Sequence, residues 1–566
     1  MKNIYKLLLI VSVVLLSAGC IKETFPKGST VTKEQLEQSD EVLTYMLRGI
    51  PAAMSTTGSA GYFATYGYHY DFGISAVHFA LESMLEDLAI LGELGYFWWN
   101  GWYQNLGQGP EYTSCAYFWQ QYYTWIKLAN DILNVAGEIT EGTDKEVREI
   151  VGQAHAYRAL YYLDLARMYE PKPNETLMPS SNIIGLTVPI VTENTSEELA
   201  KRNPRATREE MYQFILSDLK KAEEYLDKDV LSYSRPTLLA VYGLYARTYL
   251  ELGATYKEMG DPTDWDMTSL EAYTQAARYA RKVISANHHT PLTQAQWEDP
   301  INGFNNGASN DAWVWGLTTT SENQNNLVSN IAHRSCEAIY GYAVWTVLGV
   351  NQALYNQIND EDFRKHSWYD PDLGYAYKFA GNADEQAGFV YGSSYNYPAV
   401  KYESLKFRPA DGNVMDYTVG NCADWCLMRI EEMYFIEMEA QLRLSTGGLS
   451  KAQNLLNEFM QNFRYSSYDC SLATMSTDAF IKEMLLQKRI EFWGEGVLYF
   501  DYKRLNAGIT RGYTGTNVPA TARFNCEGRS PQWNIVITRG EYQSNKGIKH
   551  PADNNPDPTE KLTLWK

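Results

Sequence analysis

The stretch FWQQYYTWIKLANDILNVA, residues 118–136, carries apolar side chains at Trp119, Tyr122, Ile126, Ala129 and Leu133. Steps of three and four put them on one face of an α-helix. After the acidic break Glu138 to Asp144 the spacing returns: Ile150, Ala154, Tyr157, Tyr161 and Leu165 line one side of Lys145–Tyr169, and Pro171 and Pro173 end that run. Working outward, Thr207-Arg208-Glu209-Glu210 has the form of a capping box that starts a helix to Leu226. Arg235-Pro236-Thr237 opens another through Leu252, with Leu239, Tyr242, Ala246 and Tyr249 on its face. Leu270–Ala286 follows with Ala272, Ala276, Tyr279 and Val283. Helices are also expected over Lys33–Ala53, Asp424–Leu444, Leu449–Phe463 and Thr477–Trp493. Alanine alternating with tyrosine on the packed faces of paired helices is the packing of tetratricopeptide-type repeats. The spacing is irregular, so the fold class expected is mainly α, with degenerate repeats interrupted by loops.

Those helices divide the chain. Helical-repeat portions fall at about 112–286 and 424–505, and portions rich in Asn, Gly, Tyr and Trp at about 54–111 and 287–423. The second of these loop-rich portions is far longer than a structureless connection usually is, which marks it as functional and ligand-facing, with short strands. From residue 33 to 566 the chain is expected to form one globule.

Residues 1–19 have a different character. Lys2 and Lys6 precede the apolar run Leu7 to Leu16, and Ser17-Ala18-Gly19 leads to Cys20. This is the layout of a secretion signal, and the run is too short to span a bilayer. A cysteine directly after small residues resembles a bacterial lipobox, although Ser17 stands three before it where Leu is usual. The reading is lipidation at Cys20 after cleavage and a tether over 20–32; the alternative is an ordinary cleaved signal with an incidental cysteine. More than one acyl chain is needed for stable anchoring.

Composition narrows the functions. A net charge of −19 over 566 residues repels phosphate backbones and argues against nucleic acid as a partner. Six cysteines besides Cys20 are too few for a disulfide framework. Cys422 and Cys426, four apart, could share a helical face, where they read as small buried hydrophobes. No HExxH zinc helix, GxSxG elbow or GKS/T phosphate loop is present, so no metal, cofactor or catalytic residue is expected. The 43 Tyr and 15 Trp stand out, since both combine an apolar face with a polar handle and suit polar, ring-bearing ligands or half-exposed helix contacts.

Several segments together resemble the SusD/RagB family, the surface nutrient-binding lipoproteins of Bacteroidetes. They are Lys127 to Leu133 after Trp119, Tyr123 and Trp125; Arg158-Ala159-Leu160-Tyr161-Tyr162-Leu163; Val188-Pro189-Ile190; Ala246-Arg247-Thr248-Tyr249-Leu250; and Met428-Arg429-Ile430-Glu431-Glu432-Met433-Tyr434. The fullest match is Lys488-Arg489-Ile490-Glu491-Phe492-Trp493-Gly494-Glu495-Gly496 with Phe500-Asp501-Tyr502-Lys503-Arg504. Lys488 stands where the family has Glu, and Tyr502 where it has Leu. The resemblance implies about four tetratricopeptide-like pairs in one globule at the outer face of the outer membrane. It also implies an oligosaccharide ligand and a SusC-like TonB-dependent transporter as partner. Lys22-Glu23 partly matches the export signal of such lipoproteins.

The densest aromatic run is Tyr96-Phe97-Trp98-Trp99-Asn100-Gly101-Trp102-Tyr103-Gln104-Asn105. Trp98 and Trp99 cannot both point inward on any regular element, so some of these rings should face water or ligand. Flat rings stack on the C–H face of a pyranose, and neighbouring amides pair with its hydroxyls. The family places part of its sugar-binding arc here. Trp98, Trp99, Asn100, Trp102 and Tyr103 are therefore candidates, against the reading that these Trp residues lock loops onto the helical pairs. Tyr340 and Tyr342, flanking Gly341, form a second group; Tyr68 with Asp71 forms a third. Trp313 and Trp315 alternate like a strand and read as core. The function expected is glycan capture for a transporter, without turnover. A peptide-binding relative and a surface glycosidase with paired carboxylates are the alternatives.

Overall fold

Short polar side chains set the helix starts. Asp144 accepts from the Glu146 amide, Thr237 from Ala240, Thr268 from Glu271 and Ser476 from Ala479. Each satisfies an amide that a first helical turn leaves free. Thr207 and Glu210 close a full capping box. The computed structural model describes residues 41–55, 73–91, 98–321, 334–338, 340, 346–372, 400–444, 447–471 and 475–566. The principal elements in chain order are α1 (Val42–Ser55), α2 (Gly73–Ser83), β1 (Leu88–Ile90), α3 (Asn100–Tyr103), α4 (Thr113–Ala136), α5 (Lys145–Tyr169), α6 (Arg208–Tyr225), α7 (Leu238–Met259) and α8 (Ser269–Ser285). There follow β2 (Trp313–Leu317), β3 (Leu348–Val350), β4 (Trp425–Arg429), α9 (Ile430–Leu444), α10 (Gly448–Phe463), α11 (Thr477–Phe492) and α12 (Leu498–Leu505). The fold is mainly α, and the described strands occur only in short antiparallel pairs.

The helices pack as a continuous stack: α4 on α5, α5 on α6, α7 on α8, α8 on α9 and α9 on α10. Small residues let large ones close in. A Cβ on Gly253 of α7 would stand 2.9 Å from the Tyr273 ring of α8. Tyr245 of α7 stacks on Tyr279 of α8 at 4.3 Å. The α8–α9 contact joins residues on either side of the long loop-rich portion. That excursion is closed at its base by β2 pairing with β4.

This pairing corrects one sequence expectation. Residues 425–429 are strand, and the helix expected from Asp424 starts at Ile430. Both β2 and β4 are buried at every position, and a short, fully buried apolar run has no period that separates strand from helix. Cys422 and Cys426 therefore do not share a helical face; Cys426 lies in β4. Trp313 and Trp315 are strand residues buried in the core, edge-on to Tyr233 and Tyr157.

Buried charge clamps hold the stack together. Glu491 of α11 accepts from Arg464 at 2.8 and 2.6 Å, from Arg429 at 2.7 Å and from Arg364 at 2.9 Å. Glu495 accepts from Arg429 at 2.9 and 3.0 Å and from Lys406 at 2.7 Å. One helix end thus gathers β4, the segment after α10 and two points of the loop-rich excursion. Burial pushes the Glu491 carboxyl up, but the Arg464, Arg429 and Arg364 guanidinia outweigh it and hold the group well below the usual carboxylate range. Arg247 of α7 grips Glu432 of α9 at 2.7 and 2.6 Å. Arg158 of α5 grips Asp218 of α6 at 2.8 and 2.8 Å and reaches Asn130 of α4 at 2.7 Å. Arg504 pairs with Glu439 and Asp501, and Lys488 pairs with Asp501. Between the clamps, Gly494 and Gly496 have φ of +79° and +80°. A Cβ would stand 2.6 Å from Phe407 at the first and 2.4 Å from His78 at the second, so neither position accepts a side chain without movement.

Candidate ligand-binding cleft

Helix α2 is buried along its whole length and carries aromatic layers against two of its residues. Phe79 meets Trp99 edge-on at 5.0 Å, and Trp99 Nε1 donates to the Ala76 carbonyl at 3.3 Å. Trp102 packs on Tyr117 and Phe118 of α4, at 5.9 and 5.6 Å. The Tyr103 hydroxyl donates to the Leu88 carbonyl and accepts from the Ile90 amide, and Arg511 lies 4.6 Å over its ring. Trp99, Trp102 and Tyr103 are 0–2% exposed, so none of them presents a ring face to a ligand. This corrects their expected placement at a ligand surface: they lock residues 98–105 onto α2, β1 and α4. Trp98, by contrast, is 39% exposed. Asn100 is half-buried, and its Oδ1 accepts from Gln104 Nε2 at 3.0 Å. Tyr68, Asp71, Tyr342 and Cys20 lie outside the described residues.

Next to Phe79, His78 Nδ1 accepts from Trp425 Nε1 at 3.0 Å, and burial lowers the imidazole to about 4, which keeps it neutral. Trp425 stacks on Phe407 at 5.9 Å, and Phe407 meets Phe304 edge-on at 5.3 Å. Phe304 and Asp424, which adjoin this layer, line a cleft of about 350 Å³, within the size range of small-ligand sites. Its walls come from residues 299–306, 319–321 and 408–424.

Asp424 ties these walls together. Its Oδ2 accepts the Gly307 amide at 3.1 Å, its Oδ1 the Thr319 amide at 3.2 Å, and its own amide donates to the Asn305 carbonyl at 3.1 Å. Burial raises its carboxyl to about 6 against those two amide bonds. Arg408 is committed to Glu337, at 2.7 and 3.3 Å, and to the Glu298 carbonyl at 3.1 Å. Tyr340 does not face the ligand space. It is buried, donates its hydroxyl to the Asn413 carbonyl and fills the room that a side chain at Gly420 would need. Its role is to brace the 413–420 wall. The exposed apolar groups around the cleft are Ile301, which lines it, and Met415 and Tyr417, which adjoin the wall residue Thr418. Tyr417, 41% exposed, was not singled out in the sequence; its one local signal is Asp416 capping the short turn Tyr417–Gly420. A larger cleft of about 690 Å³ along α11 has its buried polar floor already satisfied, with Glu86 accepting from Tyr502, Thr510 and Arg489.

Elsewhere, β1 pairs with β3, Gly349 bridges to Glu403, and Ser404 bridges to Trp368. Glu403 is buried beside the Cys336 thiol, and burial lifts its carboxyl to about 8. A carboxyl raised in the folded state stays protonated there while the unfolded chain ionises above about 4.3. Its contribution is present at low pH and lost as pH rises from about 4.3 through 8. Glu403→Gln should therefore gain stability relative to the wild type between pH 5 and pH 8, by at least about 1 kcal/mol. Denaturant unfolding of both proteins at the two pH values measures this; a constant difference would refute the assignment.

A family model described as "Starch-binding associating with outer membrane" matches residues 65–250, and the model "SusD family" matches residues 385–561. Together they take in well over half of the sequence. SusD-like protein P2 of Formosa agariphila is 23% identical over 444 residues, 75% of this chain and 78% of that protein. The crystal structure of a SusD-like carbohydrate binding protein from Bacteroides vulgatus superposes with a TM-score of 0.65 at 20% identity, over 89% of this chain and 96% of that one. Surface glycan-binding protein A from Bacteroides thetaiotaomicron, solved in complex with laminarihexaose, superposes with a TM-score of 0.62 at 15% identity, over 90% and 98% of the two chains.

Proposed function

We propose, from the premise that this chain belongs to the SusD family, that it is a cell-surface glycan-binding protein that captures oligosaccharide without turning it over. The observation that carries the reading is the cleft at Asp424. Its walls carry hydroxyls and an amide, from Asn306, Thr319, Thr320, Ser321 and Thr418, and these groups donate and accept together as sugar hydroxyls require. Tyr417, Met415 and Ile301 supply apolar surface beside it, and Trp98 and Asn100 are carried as a second contact point. The neighbour solved with laminarihexaose supports a glycan over a peptide.

Location and partner belong to the same proposal. The sequence Ser17-Ala18-Gly19-Cys20 supports a lipid on Cys20, and the matching family is described as associating with the outer membrane. No helix among the described residues is long and apolar enough to cross a membrane. A lipid-held globule of this kind would pass its glycan to a SusC-like TonB-dependent transporter. Affinity electrophoresis against a polysaccharide panel, with a reducing-end assay on any glycan retained, tests the core of this. Retardation without release of new ends is expected. Retardation by no glycan, or release of ends by pure protein, would overturn it.

A further inference from the structure

The charges around the cleft limit what it can take. Resting on the glycan reading, we propose that the cleft accepts uncharged glycans and rejects those bearing uronate or sulfate groups, with Asp411 and Asp424 as the discriminating residues. Three carboxylates line it, Asp299, Asp411 and Asp424, against one cation, Arg408. That guanidinium is held in a two-bond pair by Glu337 and by the Glu298 carbonyl, so its charge is already balanced from behind the wall. Among the described residues, no lysine and no second arginine lines the cleft.

Asp299 accepts the Ile301 and Asn302 amides at 2.8 and 2.9 Å; burial pushes its carboxyl up, but these bonds, with a smaller pull from the Arg408 charge, hold it below its ordinary value and keep it ionised. Among the described residues, Asp424 receives two backbone amides and no side-chain cation. Burial pushes the neighbouring Tyr233 phenol and Cys422 thiol upward, so both stay neutral and add no charge to the site. An anionic group entering this space meets the negative charge of Asp424 in the wall and of the exposed Asp411 at its edge, and salt screens the exposed part of that repulsion. The whole-molecule charge of −19 acts in the same direction at longer range. A neutral sugar has no such penalty and finds the hydroxyl and amide walls.

Asp411 provides a mild test. Its φ is +53°, in the left-handed region that Asn shares with Asp, so Asp411→Asn removes the charge while keeping the backbone. The experiment measures affinity of the full-length mature chain for laminarin, starch and xylan, and for polygalacturonate, alginate and carrageenan. Both groups are tested at low and high salt, with wild type and Asp411→Asn. At least one neutral glycan should bind with an affinity that salt hardly changes. Every acidic glycan should bind at least about tenfold more weakly at low salt, with the gap narrowed severalfold by high salt and by Asp411→Asn. An acidic glycan bound more tightly than every neutral one would overturn the charge selection and leave the glycan reading standing. So would a gap indifferent to Asp411→Asn. Binding to neither class would overturn both.

Discussion

Replacing Glu491 with glutamine should lower the unfolding free energy by about 3–5 kcal/mol. The carboxylate is the shared acceptor of Arg464, Arg429 and Arg364, all at most 1% exposed. A neutral amide cannot balance three buried guanidinia, and its NH2 group would point a donor at donors. Asp362, Glu431 and Glu495 remain as partners, so the cost is that of leaving buried cations one shared carboxylate short, which exceeds the net value of the pairs themselves. Because the carboxyl is held below its ordinary value, the stability it provides is present above about pH 4.3 and is lost as pH falls through the folded value. Denaturant unfolding at neutral pH is the measurement. A loss under about 1 kcal/mol would mean that the hub does not carry the stack, and Glu491→Gln and wild type should converge as pH is lowered.

The second large effect separates two adjacent rings. Trp99→Ala should cost about 3–5 kcal/mol, the price of a cavity beneath Phe79 and of the lost bond to Ala76. Trp98→Ala, on a ring 39% exposed, should change stability by less than about 1 kcal/mol. If Trp98 stacks on bound sugar as proposed, its removal should also weaken glycan affinity by about tenfold. Thermal unfolding and affinity electrophoresis on the two variants give both readouts. Equal destabilisation by the two would contradict the division of the pair, and unchanged affinity in Trp98→Ala would assign the ligand to the Asp424 cleft alone.

Much of the scaffold was legible in sequence because its causes are local. The 3.6-residue period of 118–136 and 145–169, the capping box at Thr207 and the proline stops each act within a few residues of where they are written. The family-like segments were legible for a different reason. Arg158, Arg247, Arg429, Glu432, Glu491 and Glu495 are partners in buried clamps, and Gly494 and Gly496 stand where no side chain fits. They are packing requirements of the fold, so they identify the architecture and say little about the ligand.

The site was less legible because it is assembled at long range. Asp299 and Asp424 line one cleft only because β2 pairs with β4, and β4 itself read as helix. In the run 98–103 the sequence established that the rings must divide between inside and outside, but which ring turns inward is settled by α2 and α4 and not by neighbours in the chain. Trp99, Trp102 and Tyr103 went to the core; Trp98 did not. Tyr340 likewise went to bracing a wall, leaving Tyr417 as the exposed ring.

Under the proposed function, a glycan binds in the Asp424 cleft. The most direct measurement is a crystal structure of the mature chain with the neutral oligosaccharide that electrophoresis retains. The sugar is expected between the 299–306, 319–321 and 408–424 walls, within hydrogen-bonding distance of Thr319, Ser321 or Thr418. Sugar ordered at another surface with that cleft empty would contradict the account.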